Sequence, residues 1–127
     1  DVTGPVAAFE LDLDAIPEPR RKATRSKGAL KLSDLMPVDR DFAFVLDRTV
    51  AAATLLKAAR NADKALVSDV GIFDLFEGKG IGDGTKSVAI RVTLQPTEKT
   101  LTDEEIDKVS AAVVAAVTKA TGGTLRA

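Results

Sequence analysis

Two short segments of the sequence carry side chains that could together recognise a planar polar ligand. Asp74 and Phe76 lie two residues apart in the first segment, and Ser87 and Arg91 lie four residues apart in the second. A carboxylate, an aromatic ring, a hydroxyl and a guanidinium on one surface can stack on a nucleobase and hydrogen bond to its edge. These residue types predict a binding surface for single-stranded nucleic acid, provided that the fold brings them side by side.

Covalent and acid–base chemistry is poorly served by this composition. The 127 residues include no His and no Cys, which excludes a thiol nucleophile, a histidine general base, a disulfide framework and the usual zinc sites. Asp103, Glu104, Glu105 and Asp107 could suggest a carboxylate metal site, but three of them begin a predicted helix, where the helix dipole accounts for them. We therefore expect no catalytic residue, no metal and no cofactor in this chain.

Charge alone favours no class of partner. The net charge is −1, but six cations fall in residues 20–31 without an acidic residue among them: Arg20, Arg21, Lys22, Arg25, Lys27 and Lys31. We interpret residues 16–36 as a basic linker that is mainly a solvated tether and could add salt-dependent contacts to phosphates. No apolar run approaches the roughly 18 residues of a membrane span and no signal peptide is visible, so we expect no membrane partner.

The elements that must position these side chains follow Pro37. Alternation and turn residues predict strands over residues 42–46, 66–76 and 87–94 and a short closing strand over 124–126. Thr49 is predicted to cap a helix that runs to about residue 62. A second helix is predicted from the capping box at Thr102 and Glu105 to Gly122, with one apolar stripe formed by Ile106, Val109, Val113, Val117 and Ala120.

This order is β-α-β-β-α-β, which predicts an α+β fold of the ferredoxin-like split type. Right-handed crossovers put both helices on one face of a four-stranded antiparallel sheet and leave the other face open. In the third strand, alternation sends Ser87, Ala89, Arg91 and Thr93 to the open face. In the second strand, where both faces are partly apolar, Phe73 and Leu75 fit the core, which sends Ile72, Asp74 and Phe76 to the open face. Two alternatives stay open: a bulge that reverses this phase, and a face that packs on a neighbouring domain.

The glycines at positions 78, 80, 82 and 84 do not form a nucleotide-binding loop. They lack the G-x-G-x-x-G spacing, and they join strand to strand without a helix N-terminus to receive a phosphate. We interpret them as a hairpin connection. At the other end of the chain, Phe9, Leu11 and Leu13 alternate with acidic residues, which predicts a half-buried strand over residues 6–14.

Four stretches together resemble the ferredoxin-fold anticodon-binding domain at the C-terminus of the bacterial phenylalanyl-tRNA synthetase β subunit. They are MPVDRDFAFV at 36–45, VGIFDLFEG at 70–78, KSVAI at 86–90 and KTLTDEEI at 99–106, in the family's order and spacing. The strand FELDLD at 9–14 is similar to the last strand of that subunit's preceding core domain. The resemblance implies an excised C-terminal piece, with residues 1–15 from a mostly absent core domain, 16–36 as linker and 37–127 as the anticodon-binding domain.

The resemblance also implies a site and partners. The family's anticodon contacts carry over onto Asp74, Phe76 and Ser87, where some members have Tyr in place of Phe76; Lys86 and Arg91 are added from strand phase and charge. The expected partner is the anticodon loop of tRNA for phenylalanine, read at its first base, a guanine. The parent enzyme is expected to be a cytoplasmic α2β2 ligase that uses ATP and magnesium on other domains, so this module does no chemistry itself.

Three other functions are compatible with the residues alone. The open face could pack on another subunit as a structural or protein-interaction module. The same topology can also serve as a regulatory domain that binds a small ligand, because fold does not fix function. A stand-alone enzyme is the least favoured, since no nucleophile–base pair can be assembled without His or Cys.

Overall fold

The computed structural model describes residues 3–18, 29 and 32–126. The chain divides into two units, Asp1–Lys31 and Leu32–Ala127. The second unit has the element order β1 (Val38–Asp47), α1 (Ala52–Arg60), β2 (Val67–Phe76), β3 (Thr85–Leu94), α2 (Asp103–Thr121) and β4 (Thr124–Leu125). The strands form one antiparallel sheet in the order β2-β3-β1-β4. The predicted ferredoxin-like α+β fold is confirmed.

One face of the sheet is covered by both helices. The alternate residues Val88, Ile90, Val92 and Leu94 of β3 are buried, and so are Phe42, Phe44 and Leu46 of β1. They form one core with Leu55 and Ala59 of α1 and with Ile106, Val109, Val113 and Val117 of α2. Ala120, the last residue of the predicted stripe, is exposed, because the stripe runs past the end of the core. The burial of these residues leaves the opposite face of the sheet without a covering layer from the described elements.

Helix α2 begins and ends as predicted. Thr102 Oγ1 accepts a hydrogen bond from Glu105 N at 3.3 Å, and Glu105 Oε2 accepts one from Thr102 N at 3.0 Å, which completes the capping box. Gly122 ends the helix in the left-handed conformation at φ 69°.

The predicted cap of α1 is wrong. The helix begins after Ala51, which makes no side-chain cap hydrogen bond, and Thr49 lies too early in the chain to cap it. Thr49 instead donates its N–H and its hydroxyl to Asp47 Oδ1, at 2.8 and 2.6 Å. These bonds, with the side-chain hydroxyl contributing most, lower the pKa of Asp47. They make a turn at the end of β1 rather than a helix cap.

Residues 3–18 contain neither helix nor strand, so the strand predicted over 6–14 is not formed in this chain. Phe9, Leu11 and Leu13 are all exposed, Phe9 to 93%. A strand requires a hydrogen-bonded partner, and the described residues of this unit supply none. That these residues complete a sheet in a preceding domain stays a prediction.

The predicted basic linker is described only in part, since residues 19–28, 30 and 31 lie outside the described residues. At its far end, Ser33 Oγ donates to Pro96 O at 2.9 Å, and Leu35 O accepts from Gln95 Nε2 at 2.9 Å. Residues 33 and 35 therefore belong to the folded unit. In the described part of the chain, no helix is long and apolar enough to cross a membrane.

Candidate nucleic-acid interface

Small side chains line the centre of the open face. Three cross-strand pairs of β1 and β3 point to this side: Asp41 opposite Arg91, Ala43 opposite Ala89 and Val45 opposite Ser87. These positions alternate with the buried residues of both strands, as predicted for Ser87 and Arg91. The middle of this face is therefore formed by the small side chains of Ala43 and Ala89.

A β-bulge in β2 decides which of its residues join this face. Ile72 pairs with Ile90, and the next paired residue, Asp74, lies opposite Ala89, so Phe73 is an extra residue without a partner in β3. Cross-strand partners share a face, so Ile72 lies on the helix side with Ile90, and Asp74 lies on the open side with Ala89. Phe76 pairs with Ser87 and also lies on the open side.

The predicted faces of Phe73 and Ile72 are therefore wrong. Phe73 lies under the guanidinium of Arg91, with Cζ 5.5 Å from the ring centroid, which puts the ring on the open side; it is 57% exposed. The strict alternation used for the prediction fails at the bulge, which inserts one residue into the strand and shifts the phase before it. Leu75, opposite Val88, keeps its predicted helix-facing phase but is exposed, because β2 is the edge strand and the helices do not cover it there.

Phe76 and Ser87 are adjacent at one end of the face. The Phe76 ring is 41% exposed, and Ser87 is 5% exposed, the one polar residue that is buried in the described part of the chain. A Cβ added to Gly78 would lie 3.3 Å from Phe76 Cζ, so this glycine leaves the space that the ring occupies. The Phe76 ring therefore lies beside a serine that is largely buried as a residue.

Asp74 is exposed, and along β2 it lies between Phe73 and Phe76. Within the described residues it takes part in no side-chain hydrogen bond or ion pair. Its two oxygens are therefore free to accept hydrogen bonds from a ligand that lies over Ala89 and Ala43.

Arg91 is held in place by Asp41. Arg91 Nε donates to Asp41 Oδ1 and Arg91 Nη2 donates to Asp41 Oδ2, both at 2.8 Å, which is the bidentate geometry of a guanidinium on a carboxylate. The hydrogen bond lowers the pKa of Asp41 and raises that of Arg91. The pair fixes the plane of the guanidinium above the sheet.

The structure does not bring Lys86 to this face. Lys86 lies opposite Leu46, which is buried on the helix side, and its Nζ donates to Arg48 O at 3.0 Å and to Val50 O at 2.6 Å. Its ammonium stabilises the turn between β1 and α1. A role for Lys86 in RNA binding stays a prediction, and this geometry gives it no support.

Sequence reasoning missed Phe73 and Asp41. The signal for Phe73 was its chemical type, because this chain has only five Phe residues and two of them, Phe42 and Phe44, are in the core. Asp41 had no local signal, since its role depends on the register between β1 and β3.

At the other edge of the face, Thr124 of β4 pairs with Val45, and Arg126 N donates to Ala43 O at 2.7 Å.

The glycine-rich segment is a connection between β2 and β3, as predicted. Thr85 N donates to Gly82 O at 3.1 Å, and β3 begins at Thr85, so the loop leads from strand to strand and not into a helix. Among the described residues, no group of three or more His, Cys, Asp or Glu is arranged to hold a metal ion.

Comparison with known proteins identifies the class to which this fold and face belong. The family model of the ferredoxin-fold anticodon binding domain matches residues 33–126. The chain belongs to this family.

Curated relatives narrow the comparison. The chain is 63% identical over 126 residues to the phenylalanine–tRNA ligase beta subunit of Paramagnetospirillum magneticum, with 99% of this chain and 16% of the relative covered. It is 57% identical over 124 residues to the subunit of the same name from Bradyrhizobium diazoefficiens, with 98% and 16% covered. The subunit from Rhodospirillum rubrum is 56% identical over 126 residues, with 99% and 16% covered. The chain thus spans about one sixth of the length of these relatives, and the resemblance seen in the sequence is confirmed.

Proposed function

We propose that this chain is the anticodon-recognition module of a phenylalanine–tRNA ligase and that it grips the anticodon loop with its open sheet face. The observation that carries the proposal is the grouping of Asp74, Phe76 and Ser87 on that face in a member of an anticodon-binding family. Similarity to phenylalanine–tRNA ligase beta subunits along almost the whole chain supports tRNA for phenylalanine as the RNA.

The first anticodon base, a guanine, stacks on the exposed ring of Phe76. Stacking of a base on an aromatic side chain contributes roughly 1–3 kcal/mol. Asp74 lies two residues away on the same face, about 7 Å along the strand, where it reaches the edge of the stacked base. Its two oxygens accept hydrogen bonds from guanine N1–H and N2–H₂, a pair of donors that adenine, cytosine and uracil do not offer together.

Ser87 fixes the ribose or the base edge from the floor of the face. Residues paired across antiparallel strands have Cβ atoms about 5 Å apart, so a base on Phe76 lies directly over Ser87. Ser87 is largely shielded from bulk water, so a hydrogen bond from its hydroxyl to the RNA would be stronger than one made by an exposed serine.

The module does no chemistry itself in this proposal. It needs no cofactor, and the catalytic centre, with its ATP and magnesium, lies on other domains of a cytoplasmic α2β2 enzyme. The absence of His and Cys from the sequence supports a binding role over a catalytic one.

A titration of the chain with an anticodon stem-loop tests the proposal. Phe76→Ala is expected to weaken binding by about fivefold or more, from the lower end of the stacking range. Asp74→Asn is expected to weaken the guanine stem-loop and to reduce its advantage over one with inosine, which lacks N2–H₂, at that position. Asp107→Asn on α2 removes the same charge from the helix side and is the matched control. In the whole ligase, Phe76→Ala and Asp74→Asn should raise the KM for tRNA.

A protein-interaction role is favoured by one observation. The edge strand β2 exposes four large apolar side chains: Ile72, Phe73, Leu75 and Phe76. Such an edge is typical of a surface that packs on another chain. Amide shifts separate the two roles: RNA binding moves the signals of Asp74 and Ser87 on addition of the stem-loop, whereas a purely structural face leaves them unchanged.

A further inference from the structure

The open face carries a second aromatic ring in addition to Phe76. The bulge after Ile72 brings Phe73 to this side, and Asp74 lies between the two rings. Three residues of extended chain separate Phe73 from Phe76, a distance of about 10 Å. That distance is too long for both rings to hold one base, and it suits two bases that are splayed apart, as single-stranded RNA presents them to a sheet.

Phe73 packs against a guanidinium that is held by a carboxylate. The guanidinium of Arg91 lies 5.5 Å from its ring centroid, and both hydrogen bonds to Asp41 are 2.8 Å long. Gly71 lies opposite Arg91 in β2 and has no side chain to compete for this space. The carboxylate binds the guanidinium along one edge and the Phe73 ring covers one of its flat faces, so the other face is available for stacking.

We propose that Phe73 and Arg91, held by Asp41, form a second base-stacking position that binds a loop nucleotide next to the first anticodon base. The inference rests on the proposed function and extends it from one base to two. Phe73 and Arg91 contact the base in this arrangement, and Asp41 is a positioning residue that acts through Arg91.

The paired carboxylate also determines what kind of contact Arg91 makes. Asp41 compensates the charge of the guanidinium and takes the Nε hydrogen and one Nη2 hydrogen, so two of its five N–H donors are occupied. Because a nearby carboxylate already pairs with this charge, Arg91 gains less from a phosphate than a free cation would, which favours contact of its flat face with a base. Binding at this position should accordingly depend on stacking more than on salt.

A fluorescent base analogue can report on each stacking position separately. The chain has no Trp and no Tyr, so 2-aminopurine in the stem-loop is observed without interference from protein fluorescence. The probe is placed in turn at the first anticodon position and at the loop positions on either side of it. Each labelled stem-loop is titrated with the wild-type chain, Phe73→Ala, Phe76→Ala, Arg91→Lys and Leu75→Ala. Leu75 is 59% exposed on the same strand but on the helix side, which makes it a matched control for Phe73 at 57%.

The expected result is a separation between the two rings. Phe73→Ala should weaken binding by about fivefold and restore the fluorescence of the probe beside the first anticodon base, while the probe at that base stays quenched. Phe76→Ala should do the reverse. Arg91→Lys keeps the charge but removes the plane, so it should behave like Phe73→Ala, and Leu75→Ala should behave like the wild type.

Two outcomes would overturn the inference in different ways. If Phe76→Ala weakens binding but Phe73→Ala and Arg91→Lys do not, the second position is wrong and the proposed function survives. If the wild-type chain leaves every probe unquenched, the proposed function fails and the second stacking position fails with it.

Discussion

Gly123 lies where α2 gives way to β4, in contact with the end of β1. A Cβ at this position would overlap Leu46 Cδ2 and approach Val45 O to 3.0 Å. Leu46 is 1% exposed in the core and has little space to move. Gly123→Ala is therefore expected to lower the free energy of unfolding by about 1–3 kcal/mol, as overpacking of a filled core does, measured by urea denaturation.

The matched control for this substitution is Gly82→Ala in the connection between β2 and β3. A Cβ there meets only Thr85 side-chain atoms at 3.8 Å, which is ordinary contact. Equal destabilisation by the two variants would show that loss of glycine flexibility, and not the contact with Leu46, is responsible.

The Asp41–Arg91 pair should make the free energy of unfolding depend on pH, and the direction of that dependence can be predicted. The hydrogen bond from Arg91 lowers the pKa of Asp41 in the folded chain. The stabilisation of the folded chain by the ionised Asp41 is therefore fully present above the pKa of Asp41 in the unfolded chain, about 4. It is lost as the pH falls through the lower pKa of Asp41 in the folded chain. The difference in unfolding free energy between the wild type and Asp41→Asn should stay constant from pH 7 to about 5 and shrink below about 4.

Asp34→Asn serves as the comparison in the same series of denaturation curves, because Asp34 is exposed and outside the sheet. If the difference in unfolding free energy between the wild type and Asp41→Asn stays the same below about pH 4, the ionised carboxylate of Asp41 is not what stabilises the fold.

The amino-acid sequence predicted the positions of some site residues on the sheet and not those of others. Asp74, Phe76 and Ser87 lie on the open face because simple alternation holds for β3 and for β2 beyond the bulge. Phe73 could not be placed, because the bulge precedes Asp74 and both faces of β2 are apolar, so no periodicity marks the extra residue. The partner of Asp41 is set by the register between β1 and β3, and that of Lys86 by the path of the turn after β1. Both depend on residues that are distant in the sequence.

At the scale of a secondary-structure element, the stability of helix α2 depends on its capping box. Removing the Thr102 hydroxyl leaves Glu105 N without its partner and breaks the reciprocal bond. Thr102→Ala is expected to lower the unfolding free energy by about 1 kcal/mol, measured by thermal or urea denaturation. Thr100→Ala, two residues earlier in the exposed loop before the helix, is the control and should have little effect.

Strong local signals explain which elements were predictable. The buried stripe and both termini of α2 could be read from spacing, cap and glycine alone. Strand β1 was predicted from residue 42 but begins at Val38, because three polar residues, Asp39, Arg40 and Asp41, follow Val38 and hide the strand pattern. Their pairing with Thr93, Val92 and Arg91 of β3 is what extends the strand. The alternating residues 6–14 show the converse, since a good strand pattern without a partner forms no strand.

At the scale of the molecule, element order and crossover handedness were sufficient for the fold but not for its ligand. The order of strands and helices determines one covered and one open face, whatever that face binds. Membership of an anticodon-binding family is what leads us to propose an anticodon loop as the ligand of the open face. The pairing of the open-face cation Arg91 with Asp41 is the feature from which we propose that this face contacts bases more than phosphates.

The distribution of charge over the whole chain leads to a prediction about salt. Residues 32–127 carry 12 Lys and Arg against 14 Asp and Glu, while residues 20–31 carry six cations and no acid. Phosphate contacts are therefore expected chiefly from the basic stretch, and base discrimination from the sheet. Replacing all six cations with Gln should weaken stem-loop binding and reduce the salt dependence by about 0.7 in log–log slope for each phosphate that the chain no longer neutralises.

The same substitutions should leave the preference for guanine over inosine unchanged, because base contacts specify and phosphate contacts only position. A variant with Gln at Lys57, Lys64, Lys108 and Lys119, four exposed lysines that lie outside the sheet, controls for the change in net charge. If that control lowers the slope as much per charge as the basic stretch does, RNA responds to overall charge and not to contacts from residues 20–31. If the preference for guanine falls together with the slope, the division of work between the sheet and the basic stretch is wrong.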